Sequence, residues 1–405
     1  MAVVELELFS ESCKVGKKLA QNRFLAQPIE RNHANEIGGF SDYVFNAYKQ
    51  LRDGLWGVVI METTAISMSE KCRPNALVLD DTLENEESWS KFFKEMKNPP
   101  KRSGEGETLW IVEITAAGYK NISGPRRALY EGQRELRKGP VMSTEDIEDL
   151  LDDYVRATRL AYERGADGID IKLCHGYFGS LFLRPNNQRE DQYGGTHENR
   201  TRFLKEYARR ASKEVGDSEF LFTTRINAWD GGILGGIGMD GHVGEGSKAW
   251  IRNNTEIEKN YELLDELGFS LANVSTGLST PSGIINPQNS IPVNFLLYQD
   301  AALHAARHLK NIKSDIKVAS AAWSAMGPFS LSAGEGYLEK GLDFIGFGRW
   351  IICEPNLPKI VLKDAKEANM DPAEYLEEEG NICIACGKCG SGLGGDGPVK
   401  CPVYD

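Results

Sequence analysis

Short, continuous apolar runs rich in β-branched residues alternate along this chain with longer amphipathic segments. The runs are "NRFLAQP" from Asn22, "WGVVIME" from Trp56, "TLWIVEIT" from Thr108 and "DGIDIKL" from Asp167, then "EFLFTTRI" from Glu219, "FSLANVS" from Phe269, "DIKVAS" from Asp315 and "LDFIGFG" from Leu342. Runs of this length predict strands buried on both faces, as in a parallel sheet. Between them, helices are predicted over "TEDIEDLLDDYVRATRLAYERG", "NRTRFLKEYARRASKEVG", "NTEIEKNYELLDELG" and "VNFLLYQDAALHAARHLK". In the first of these, Thr144 reads as the cap and Gly165 as the stop. Eight strand–helix units over about 340 residues predict an α/β fold, a (β/α)8 TIM barrel with insertions. An open doubly wound sheet alternates in the same way; the count of eight favours closure.

A barrel places chemistry at the C-terminal ends of its strands. Reading those ends gives Pro28-Ile29-Glu30, Glu62-Thr63-Thr64, Glu113-Ile114-Thr115, Lys172 with His175 and Tyr177, Arg225, Ser275, Ser320 and Gly348-Arg349. So many polar and charged residues beside apolar runs read as an active site. The bulk numbers narrow the possibilities. The 405 residues carry a formal charge of -12 with acids and bases interspersed, which disfavours nucleic acid and leaves small molecules or protein partners. No signal-peptide pattern and no run of eighteen apolar residues occurs, so a cytoplasmic protein without a membrane span is expected. Of eight cysteines, Cys13, Cys72, Cys174 and Cys353 are scattered as free thiols would be, and Cys383, Cys386, Cys389 and Cys401 cluster.

The segment "DGIDIKLCHGYFGSLFLRPNNQREDQYGGTHENRTRF" resembles the signature of the old yellow enzyme family, flavin oxidoreductases built on a (β/α)8 barrel that carries FMN. The match "HGY…FL.P..N.R.D.YGG..ENR.RF" holds many positions at fixed spacing. By the same resemblance "NRFLAQPIERN" brings Pro28 and Glu30 to the flavin, and "VVIMETTAIS" brings Thr64. "TTRIN" places Arg225 near the flavin N1 and O2. "IGFGRWIICEP" places Gly348 and Arg349 on the FMN phosphate, where a close backbone N–H and a bidentate charge are wanted. The terminal CxxCxxCx11CP is similar to the [4Fe–4S] loop of the branch containing 2,4-dienoyl-CoA reductase and trimethylamine dehydrogenase. A structural zinc site and unliganded thiols are the other readings of those four cysteines. The division that follows is an FMN barrel over residues 1–365 and a cluster segment over 366–405.

The chain departs from the family at four places. Lys172 stands where a first histidine is usual, so that Lys172 and His175 would form a cationic donor pair for an enolate or carboxylate oxygen. Glu113, followed by Ala116, replaces a Gln and a His on the third strand, and Glu30 replaces a Thr or Cys. These carboxylates predict a flavin of lowered potential. "ASAAWS" replaces a Gly-Gly turn, leaving Ser320 and Ala322 to meet the phosphate, with some backbone strain if φ is positive.

The resemblance implies a reductase of an activated C=C bond, in an unsaturated acyl (CoA-linked included) or cyclic carbonyl compound. Hydride would come from FMN N5 and a proton from Tyr177, a phenol placed as a general acid. Electrons would be exchanged through the cluster with a separate partner: a ferredoxin, an electron-transferring flavoprotein or an NAD(P)H-dependent flavoprotein. An amine dehydrogenase of the trimethylamine type and a non-catalytic electron-relay subunit are the competing classes. Self-association is common in such barrels. Two GxGxxG matches, Gly236–Gly241 and Gly390–Gly395, do not open helices as a dinucleotide site requires. They read as a loop over the barrel mouth and as slack around the cysteines. The segments Gly231–Glu245 and Gly277–Asn294 are expected to shape the substrate pocket. His33, His197, His242, His304 and His308 show no ligand spacing and read as structural. Glu30, Glu62 and Glu113 have a plain alternative role, pairing with nearby cations.

Overall fold

In a computed structural model, all eight apolar runs are strands of one closed parallel barrel. The residues described are 6–98, 105–131, 139–230, 237, 254–277, 292–390 and 397–404. Two short strands that the hydrophobic pattern did not reveal come first: β1 (Cys13–Val15) and β2 (Lys18–Ala20), an antiparallel hairpin. The barrel strands are β3 (Phe24–Ala26), β4 (Val58–Ala65), β5 (Leu109–Thr115) and β6 (Gly168–Leu173), then β7 (Leu221–Trp229), β8 (Leu271–Thr276), β9 (Lys317–Ser320) and β10 (Phe344–Phe347). Each pairs with the next, and β10 closes the ring against β3 through Ile345–Phe24, Gly346–Leu25 and Phe347–Ala26.

Every residue of β4, β5, β6 and β8 is buried, which is why these strands read as unbroken apolar runs. Cys13, Val15 and Ala20 of the hairpin pack with Leu25, Val58, Leu109, Leu221 and Leu271. These residues lie at the strands' N-terminal ends, so the hairpin stoppers that end of the barrel. Farther up the interior, Gln27 and Asn273 exchange two amide hydrogen bonds of 2.9 and 2.8 Å. Gly346 makes room for them: a Cβ there would lie 2.1 Å from the Gln27 amide nitrogen.

The first predicted helix spans Thr144–Glu163, but its cap is Ser143. The Ser143 hydroxyl accepts from the Asp146 amide in a capping box, while the Thr144 hydroxyl bonds Asp191 instead, 3.0 Å away. Gly165, at φ +98, follows the last turn as expected. A helical stretch from Leu357 to Glu367 includes one π turn at Ile360–Asp364. The helix Pro372–Glu379, capped by Asp371, then leads into the cysteine segment. All eight cysteines are free thiols. No helix among the described residues is long and apolar enough to cross a membrane. Gly231–Glu245, Gly277–Asn294, both GxGxxG matches and His242 lie, apart from isolated residues, outside the described residues.

Candidate active site

Three strand ends bring a buried ion pair to the top of the barrel. The pairing of β4 with β5 shifts between Met61 and Thr64, a bulge that re-aims the side chains it contains. Thr63, inside the bulge, donates to Glu113 of β5, and both receive hydrogen bonds from the Lys172 ammonium of β6. The Lys172–Glu113 distance is 2.9 Å with both side chains out of solvent. Burial would pull Lys172 down, but the charge of Glu113 holds its pKa above the ordinary lysine value. Asp170 pairs with Glu113 in register and accepts from Thr223 (2.8 Å) and the Arg225 amide (2.9 Å). Burial, with the neighbouring Glu113 charge, pushes its carboxyl up.

The chain leaves β6 through a left-handed turn, His175 at φ +60 and Gly176 at φ +69. Such backbone is uncommon for a side chain other than glycine and concentrates at functional sites. His175 is buried with Nε2 2.7 Å from the Ser275 hydroxyl of β8. Burial and the charges of Arg225, Lys172 and Lys120 hold its pKa well below 6.5. Of the expected donor pair, the surroundings thus favour Lys172 as the cation and His175 as the neutral imidazole, beside the charges of Lys172, Lys120 and Arg225.

Tyr177 follows, buried, with its hydroxyl 3.5 Å from Glu30. The ammonium groups of Lys120 and Lys172 lie over its ring, 3.7 and 4.2 Å from the centroid. Burial and the charge of the Glu30 carboxylate push the phenol well above its ordinary value, so the protonated form is favoured at neutral pH. Glu30 is bridged to Arg73 at 2.9 Å. Although burial acts against it, the Lys172 and Arg73 charges keep Glu30 below the ordinary carboxylate value. Glu62 accepts from the Arg31 amide at 2.8 Å, and burial raises it to about 7. Glu30 and Glu113 each face a cation, Arg73 and Lys172, which offsets part of the negative charge they bring to the strand ends.

Two buried polar atoms test whether a flavin fits. Glu113 Oε2 and Arg225 Nε have no hydrogen-bond partner among the described residues. An orphaned acceptor and an orphaned donor, two strands apart, match a pyrimidine ring that carries both an N–H and carbonyl oxygens. At the ends of β9 and β10 the phosphate candidates are less uniform. Ala322 has φ +75, the strained alternative for an alanine in place of glycine. Gly348 sits against Ile29, and a Cβ on the glycine would lie 3.3 Å from the end of the isoleucine side chain. The Ser320 hydroxyl accepts from the Trp323 indole at 2.7 Å. Pro28 and Thr64 are buried at their strand ends, with the Thr64 hydroxyl turned to the Glu62 carbonyl at 3.0 Å. Ala322→Gly is expected to stabilise the protein by about 1 kcal/mol, read as a higher urea midpoint with FMN content unchanged.

Arg349 points elsewhere than its sequence position implied: its guanidinium donates to the Ala385 carbonyl at 3.2 Å. It lines a narrow cleft together with Cys383, Cys386, Cys389 and Cys401. The main-chain amide of Val399 bonds the Arg31 carbonyl (3.0 Å), and the Tyr43 hydroxyl donates to the Val399 carbonyl (2.9 Å). The cysteine segment is thus stitched to the loop after β3. The four thiols share one cleft, but among the described residues no three potential ligands are gathered into a preformed metal site. Cys353, read as a scattered thiol, is buried beside this segment and donates to the Trp350 carbonyl (3.6 Å) and the Asn381 carbonyl (3.9 Å).

Lys120, Arg73 and Asp170 were not singled out from the sequence, and Cys72 was read only as a scattered thiol. A lysine two residues past the only Gly in "EITAAGYK" was the available signal for Lys120. A buried Glu113 called for a cation, and Lys172 was at hand. His197 bonds Asn260 and His304 bonds Glu258, both at 2.8 Å, as structural histidines do.

The sequence pattern of the NADH:flavin oxidoreductase / NADH oxidase family matches residues 7–367. An NADH oxidase of Thermoanaerobacter brockii is 26% identical over 395 residues, 94% of this chain and 52% of that protein. An NADPH dehydrogenase of Bacillus cytotoxicus is 25% identical over 371 residues, 89% of this chain and 94% of the other. The structure of a 2-naphthoyl-CoA reductase superposes with a TM-score of 0.74 at 19% identity, over 95% of this chain and 54% of that one, which shows a shared fold. This chain thus spans about half the length of the NADH oxidase and of the naphthoyl-CoA reductase. With a closed eight-stranded barrel, the polar strand ends and a match over residues 7–367, the chain belongs to the NADH:flavin oxidoreductase / NADH oxidase family of flavin-dependent oxidoreductases.

Proposed function

We propose that this protein is an FMN-dependent reductase of an activated C=C bond in an unsaturated acyl or cyclic carbonyl compound. The observation that carries this reading is Tyr177: a buried, protonated phenol at the barrel mouth, beside Glu30 and beneath two ammonium groups. FMN, when bound, supplies the hydride. Glu113 and Arg225 would hold its pyrimidine ring, and the strand ends at Ala322 and Gly348 its phosphate. Tyr177 would give the proton to the carbon beside the carbonyl. Lys172 provides positive potential for the developing negative charge, and His175 adds a neutral imidazole held in place by Ser275.

The same proposal gives Cys383, Cys386, Cys389 and Cys401 a [4Fe–4S] cluster, on the strength of four thiols lining one cleft. A ferredoxin, an electron-transferring flavoprotein or an NAD(P)H-dependent flavoprotein would exchange electrons there. Ile384, Val403 and Tyr404 are exposed around the cleft, as a docking face requires.

The test is the cofactor content of protein purified without oxygen. FMN together with about four irons per chain is expected. Cys389→Ser should lose the iron and its broad visible absorption while keeping FMN. Iron without FMN would overturn the reductase reading, and FMN without iron would remove the cluster from it. With both present, reduction of unsaturated acyl thioesters by an artificial electron donor is the activity expected.

A further inference from the structure

A proton donor is only as good as the stability of what it leaves behind. If Tyr177 gives up its proton, the product is a buried phenolate 3.5 Å from the Glu30 carboxylate. Charged groups face that phenol from several elements. Glu30 and the Cys72 thiol oppose a negative charge; Arg73, Lys172 and Lys120 favour one. Arg73 is bridged to Glu30, and Lys172 to Glu113. Of the two ammonium groups over the ring, Lys120 is the nearer, 3.7 Å from the centroid, and it is fixed there by a 3.1 Å hydrogen bond to the His175 carbonyl. That carbonyl belongs to the left-handed turn that delivers Tyr177 itself, so the cation and the phenol are placed by the same piece of backbone.

We propose that Lys120 is a positioning residue for Tyr177, its ammonium stabilising the phenolate formed when Tyr177 protonates the substrate. In that step the Tyr177 O–H bond breaks and a C–H bond forms at the carbon beside the carbonyl. The O–H electron pair stays on the phenol oxygen. A cation over an aromatic face attracts a neutral ring and attracts an ionised one more strongly, and burial removes the water that would screen it. Burial and the charge of Lys172 pull the pKa of Lys120 down to about 7, and a phenolate beneath the ammonium would draw it back up, so the two groups titrate as a pair. This assignment rests on the reductase reading for its purpose, though not for its test.

The test replaces Tyr177 by 2,3,5-trifluorotyrosine, whose phenol is far more acidic than tyrosine's, and follows its titration by fluorine NMR in the intact protein. Lys120→Met should raise that pKa by about one unit, a factor of about ten in the ionisation constant. Lys120→Arg should restore most of the shift. An unchanged titration in Lys120→Met, with the fold intact by circular dichroism, would overturn the proposal. Should Lys120→Met fail to fold, Lys120→Gln carries the same reading. Because no turnover is measured, the titration stands even where every unsaturated carbonyl compound proves inert. If the reductase reading holds, kcat in Lys120→Met falls about tenfold with KM little changed, and the loss is recovered in Lys120→Arg.

Discussion

Tyr177→Phe is expected to lower turnover of an unsaturated carbonyl substrate by about 10²–10⁴-fold, the usual contribution of a placed general acid. Reduction of the bound flavin by its electron donor should continue at the original rate. The substitution isolates the proton because almost everything else at the position survives it. A phenylalanine keeps the ring packed against Cys72 and Ala117, and the ammonium groups of Lys120 and Lys172 still find an aromatic face beneath them. What disappears is one hydroxyl, 3.5 Å from Glu30. Stopped-flow measurement of the two half-reactions separates the effects. Equal slowing of both would mean that Tyr177 shapes the site rather than serving as its acid.

The second large effect concerns stability. Lys172→Met should destabilise the protein by about 3–5 kcal/mol, the cost of leaving a buried carboxylate without its partner. Glu113 is fully buried and, among the described residues, has one oxygen without a hydrogen bond, so loss of the 2.9 Å ion pair leaves it with Thr63 as its remaining side-chain partner among them. The double variant Lys172→Met with Glu113→Gln should recover most of the loss, since an apolar chain beside a neutral amide has no charge left to strand. Urea unfolding of the two single variants and the double variant measures the coupling. Additive effects would place the two charges in separate environments and contradict the geometry.

These two experiments also mark the boundary between what could be read from the chain and what could not. Burial on both faces makes a strand an unbroken apolar run, so all eight barrel strands were legible. The hairpin Cys13–Ala20 was not, because three-residue strands carry too few positions for a period. Lys172, His175 and Tyr177 were found as neighbours in sequence, at the end of one strand. Their surroundings were not legible, because other strands supply them: Glu113 from β5, Thr63 from a bulge in β4, and Lys120 from the loop beyond β5. Arg349 illustrates the same limit. Its place after β10 was plain, but its direction was set by the Ala385 carbonyl, which belongs to a segment 36 residues farther on.

The seam of the barrel has a consequence for the order in which the protein is made. The ring shuts only when β10 takes its place beside β3, joining residues 24–26 to residues 345–347. A nascent chain that has emerged as far as β9 holds Tyr177, Glu113 and Arg225 but has an open sheet with two unpaired edges. The ends of β9 and β10, where a phosphate would rest, become neighbours only at that last pairing. Capture of a phosphate at those two strand ends would therefore wait until residue 347 has left the ribosome.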